Sequence, residues 1–113
     1  MNASVRRLRI LVVDDRLECA RTLGRVVTML GHDARIAHDG LEGLEVASEF
    51  RPDVVLMDIG LPLMDGYEAA RHLRDQPWGQ GITLVALTAF GEEIDGREFP
   101  DRHGFWGGTT MLT

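Results

Sequence analysis

The chain contains no lysine, and its 12 basic residues are all arginine. It has a single cysteine, Cys19, so no internal disulfide can form, and such usage suits a reducing compartment. Cys19 falls in a helical pattern, where a thiol more often packs than reacts. No apolar run approaches the ~20 residues that a bilayer-spanning helix needs. The apolar stretch after the N-terminal arginines covers only residues 10–13 before two aspartates end it, too short for a secretion signal. These absences predict a cytoplasmic location with no membrane partner, although a parent protein could still carry a tether. Acidic residues outnumber basic ones by 18 to 12, and the resulting net charge of −6 argues against nucleic acid as a direct partner. The tightest basic cluster, Arg6, Arg7 and Arg9, reads as a solvated lead-in to a strand rather than a phosphate-binding patch. His32, His38, His72 and His103 fall in different predicted elements, so they do not form a metal set.

What is present is the composition of one globular domain. With 113 residues, 44% hydrophobic, the chain can build one core without staples. Short apolar runs at residues 10–13, 54–57 and 82–87 read as strands buried on both faces, as in a parallel sheet. A shorter strand fits residues 34–37. Leu17, Ala20, Leu23, Val27 and Leu30 form a helical stripe that Gly31 stops, and Leu41, Leu44 and Ala47 mark a second helix ending before Arg51 and Pro52. Tyr67, Ala70 and Leu73 begin a third, broken by the segment from Gln76 to Gly79. Strands alternating with helices over short connections predict a doubly wound α/β sheet with right-handed crossovers. Beyond Phe90 the pattern weakens: Gly96 and Pro100 interrupt a poor fourth helix, and residues 109–113 are a weak fifth strand.

Acidic residues stand where two of these strands leave the core. Asp14 and Asp15 close the first, and Asp58 closes the third. In open α/β sheets ligands bind at that edge, and three carboxylates there need a cation to offset their repulsion. An all-oxygen donor set suits Mg²⁺ rather than zinc or copper. Asp15 and Asp58 are the expected direct ligands, with Asp14 holding a metal-bound water and a backbone carbonyl completing the shell. Thr88, after the fourth strand, can offer a hydroxyl to a phosphoryl oxygen, and the Ala89 amide a second donor. The competing structural roles are helix capping for the acid pair and a strand-end β-branched residue for Thr88.

Residues 10–15, residues 53–66 with Pro62, Asp65 and Gly66, and residues 84–89 together resemble the response-regulator receiver domain of two-component signalling, in the right order over roughly residues 8–93. The resemblance implies a chemotaxis-regulator-like domain over residues 1–113, with a flavodoxin-like fold of about five strands. It implies that Asp58 accepts a phosphoryl group from a histidine kinase or histidine phosphotransfer protein. Asp14 and Asp15 match the metal-binding acids, Gly60 the residue lending its backbone carbonyl, and Thr88 the switch hydroxyl. A receiver of this kind is a phosphoacceptor rather than an enzyme, and a homodimer is left open.

One departure is plain. The family carries a lysine at the end of its fifth strand. One alignment sets Met111 there, another Thr110, and a third places the lysine just past Thr113. Residues 94–113 are divergent, and the family's last helix is absent from the sequence. Truncation, a divergent end and a degenerate receiver all remain open, the last working as a pseudo-receiver that binds proteins without phosphorylation. A Mg²⁺-dependent phosphohydrolase is disfavoured, because such enzymes carry a second acid two residues after the nucleophile, where this chain has Gly60.

Overall fold

The computed structural model describes residues 6–58, 66–87 and 110–112. In chain order these are β1 (Arg9–Val13), α1 (Leu17–Met29), β2 (Asp33–Ala37), α2 (Gly40–Phe50), β3 (Val54–Asp58), α3 (Gly66–Asp75), a 3-10 turn (Pro77–Gly79), β4 (Thr83–Leu87) and β5 (Thr110–Leu112). The five strands form one parallel sheet in the order β2-β1-β3-β4-β5. The predicted α/β class is therefore the observed one. The weak fourth helix expected after Phe90 lies outside the described residues.

Alternation along each strand divides the core in two. Leu11, Val13, Val55, Met57, Leu84 and Ala86 pack with Ala47 of α2 and with Tyr67, Ala70 and Leu73 of α3. Ile10, Val12 and Val85 face the other way, the side taken by Ala20 and Val27 of α1. Burying an aliphatic side chain of this size contributes about 1.5–3 kcal/mol, so the strand interiors hold the sheet. The α1 stripe is shorter than its spacing predicts. Leu17 and Leu30, at its ends, are 45% and 66% exposed. Between them Gly24 is buried, and a Cβ added there would lie 3.1 Å from Ile36 of β2, so the close approach of helix to sheet runs through a glycine.

Helix boundaries follow local chemistry. Gly31 has φ +95°, and it donates its N–H to the Thr28 carbonyl while His32 donates to that of Val27, the paired bonds of a Schellman stop. Asp39 caps α2 by accepting the Glu42 N–H at 2.8 Å. At the other end of α2, Arg51 adopts φ 52° before Pro52, with its guanidinium 4.7 Å from the Trp78 ring centroid. Of the three N-terminal arginines, Arg6 and Arg7 pair with carboxylates, while Arg9 Nε donates to the Arg51 carbonyl at 3.0 Å. Arg7 bridges Asp33 at 2.6 Å, and Arg6 bridges Asp53 at 3.4 Å. Hydrogen bonding from Arg7 lowers the Asp33 pKa. The stability this carries is present above the ordinary aspartate value and lost as pH falls through the lowered one. Both groups are solvent-exposed, so that contribution is small.

The turn between α3 and β4 is tightly tied. Arg74 Nη1 donates to the carbonyls of Gly79 and Ile82 at 2.7 and 2.6 Å. A Cβ on Gly79 would lie 1.7 Å from the Leu73 carbonyl oxygen, a backbone atom that cannot rotate away. Gly79→Ala is therefore expected to destabilise the domain by about 2–3 kcal/mol, read as a lowered urea midpoint with unchanged slope. A midpoint equal to wild type would show that the turn relaxes freely.

Candidate functional site

Register alone assembles the acidic edge. β1 pairs with β3 so that Val13 lies beside Met57, and the residues that follow, Asp14 and Asp58, emerge side by side at the C-terminal edge of the sheet. The Asp14 N–H also donates to the Ala37 carbonyl at 3.0 Å, fixing the strand end between both neighbours. Asp58 is the last residue of β3, opposite Leu87 of β4.

Asp14 and Asp58 are 1% and 6% exposed, while Asp15 faces solvent. One carboxylate oxygen from each of the three lies within 4.8 Å of the others. Two unit charges at such a separation repel by about 3 kcal/mol at an effective dielectric near 20. Cations relieve that repulsion. Three closely spaced carboxylates, an all-oxygen donor set, fit Mg²⁺.

Arg16 is a further participant, one that residue type and spacing do not single out. Its backbone N–H donates to Asp14 Oδ1 at 2.9 Å. Its guanidinium reaches the same carboxylate twice, Nε to Oδ1 at 3.3 Å and Nη2 to Oδ2 at 3.4 Å. Nη2 also lies 3.8 Å from Asp58 Oδ2. The hydrogen bond to Asp14 raises the Arg16 pKa, with smaller contributions that include the charge of Asp58. A basic residue directly after an acid pair is the one signal the sequence offers for it. The N–H that Asp14 accepts belongs to Arg16, the residue preceding α1, and not to the first turn of the helix.

Beside the acids, a groove of ≈ 370 Å³ is lined by Asp14, Arg16, Glu18, Cys19, Thr22, Leu23 and Leu87. A larger cavity of ≈ 760 Å³ opens between α1 and β2 among Arg21, Arg25, Met29 and Ile36, and no carboxylate lines it. The acids and not the larger cavity therefore mark the candidate site.

Comparison with known proteins agrees with this geometry. The response regulator receiver domain family matches residues 10–104. The chain belongs to the response-regulator receiver family. Among curated receiver proteins, it is 39% identical to the response regulator MprA of Mycobacterium ulcerans over 82 residues, 73% of this chain and 34% of that protein. The MprA of Mycobacterium tuberculosis H37Rv is 38% identical over the same share of the chain. The chain thus spans about a third of the length of these relatives. Among solved receivers, a putative response regulator from Chloroflexus aurantiacus superposes with TM-score 0.76 at 29% identity, covering 95% of this chain and 84% of that one. The receiver domain of the Pseudomonas aeruginosa sensor histidine kinase PA1611 superposes with TM-score 0.74 at 28% identity, covering 96% and 84%. That structure holds a magnesium ion in its active-site cleft.

The remaining receiver features are distributed unevenly. Gly60 and Thr88 lie outside the described residues. In β5 the register sets Thr110 beside Val85 and Met111 beside Ala86. His32 accepts the Leu8 N–H through Nδ1, and the His38 ring lies 3.1 Å from Glu42, so both serve the frame rather than the acidic edge. Among the described residues no helix is long and apolar enough to cross a membrane.

Proposed function

We propose that this receiver takes a phosphoryl group onto Asp58 from a phosphohistidine of a histidine kinase or phosphotransfer protein. The observation that carries the reading is the convergence of Asp14, Asp15 and Asp58 within 4.8 Å. An Asp58 carboxylate oxygen attacks phosphorus in line. The P–N bond breaks, its electrons leave with the imidazole, which takes a proton from water, and an acyl phosphate remains. Asp15 and Asp58 would hold Mg²⁺ directly, Asp14 through a water, and Gly60 through its backbone carbonyl. Bound there, Mg²⁺ neutralises charge on the transferring phosphoryl oxygens. The Thr88 hydroxyl, one residue after the partner of Asp58 in β4, donates to a phosphoryl oxygen. The chain acts as a phosphoacceptor and not as an enzyme with a separate substrate.

Incubation with acetyl phosphate and Mg²⁺ is expected to add one phosphoryl mass to the intact protein, and excess EDTA is expected to suppress the adduct. An unchanged mass under both conditions would overturn the reading. The competing one, a pseudo-receiver that binds partners without phosphorylation, is favoured by a single observation: no lysine occurs in these 113 residues.

A further inference from the structure

The Arg16 guanidinium and a divalent cation have claims on the same oxygens. Both oxygens of buried Asp14 accept from Arg16, and Asp58 Oδ2 lies 3.8 Å from its Nη2. A divalent ion held by these carboxylates would repel a guanidinium paired with them. The Arg16 side chain, 48% exposed, has solvent to swing into. Its backbone N–H keeps Asp14 Oδ1 in place whether or not the guanidinium stays.

We propose that Arg16 is an intramolecular competitor of the divalent cation, pairing with Asp14 and Asp58 until the ion displaces its guanidinium toward solvent. Arg16 is thus a positioning residue that sets the cation concentration at which the acidic edge loads. The inference rests on the metal-site reading above. In a chain without lysine, the guanidinium is also a cation already placed beside Asp58, so its release on loading changes the local charge by one unit.

Calorimetric Mg²⁺ titration of the full chain tests this on wild type, Arg16→Ala, Arg16→Lys and Arg21→Ala. Arg21→Ala removes the same formal charge from α1, but Arg21 lines the distant cavity by β2. Arg16→Ala is expected to bind about fivefold more tightly than wild type, the upper end of what a half-exposed ion pair contributes. Arg16→Lys should fall between them, because ammonium lacks the two-pronged fork, and Arg21→Ala should match wild type. The Arg16 Nε–H resonance of wild type should move with Mg²⁺ along the same saturation curve. Equal affinity in wild type and Arg16→Ala, an equal gain in Arg21→Ala, or a stationary Nε–H signal at saturation would overturn the competition while leaving the metal site intact. Failure of all four proteins to bind Mg²⁺ would overturn the metal-site reading and the competition with it.

Discussion

Replacing Asp58 with asparagine is expected to abolish phosphoryl incorporation, reducing the adduct formed with acetyl phosphate and Mg²⁺ at least ~100-fold. A carboxylate oxygen is the attacking atom, and an amide oxygen carries neither its charge nor its nucleophilicity. The substitution is nearly isosteric at the end of β3, so the fold persists and the loss reports chemistry. Asp58 is 6% exposed and sits on a strand paired on both sides, leaving little room for another carboxylate to replace it. Asp15 faces solvent and is the residue best able to accept a stray phosphoryl group. Intact-mass spectra of wild type and variant, recorded side by side, check the expectation. Equal adducts in both proteins would remove Asp58 from the mechanism.

The second large effect concerns the two remaining acids. Asp15→Ala is expected to weaken Mg²⁺ binding by ~100-fold, about 2.8 kcal/mol at 1.4 kcal/mol per decade. Asp14→Ala should cost less, about tenfold, since a group acting through a bound water contributes less than a direct ligand. A second cause works in the same direction. Removing Asp14 also removes the anchor of the Arg16 guanidinium, so the variant loses a competitor together with a helper. Calorimetry on the two alanine variants decides the order. Equal losses would contradict it, and unchanged affinity in both would remove the site.

Much of the fold and the acidic edge is legible in the amino-acid sequence, for physical reasons. Parallel strands buried on both faces show as unbroken apolar runs, so residues 10–13, 54–57 and 82–87 mark β1, β3 and β4, each to within a residue. Strand ends are equally readable, because a carboxylate is costly deep within a buried run and tends to stand where the strand reaches the sheet edge. That places Asp14, Asp15 and Asp58 on one edge. The α1 stripe is less faithful. Hydrophobic spacing nominates Ala20 and Val27, which are buried, but also Leu17 and Leu30, which are exposed, and it misses buried Gly24, whose lack of a side chain gives it no signal in a hydropathy pattern. Arg16 is hidden for another reason. Its role depends on a half-exposed side chain folding back over Asp14, and spacing alone does not fix such a rotamer. The tie from Arg74 to the carbonyls of Gly79 and Ile82 is invisible for the same reason, because side-chain bonds to backbone leave no periodicity.

The central claim is that Asp58 carries the phosphoryl group. An acyl phosphate is reduced by borohydride to the alcohol, so an aspartyl phosphate becomes homoserine at the modified position and unmodified aspartate is left alone. The chain is treated with acetyl phosphate and Mg²⁺, reduced with borohydride, digested and sequenced by tandem mass spectrometry. The account predicts homoserine at position 58 and aspartate at positions 14 and 15. Homoserine at either of those positions, or at none, would contradict it.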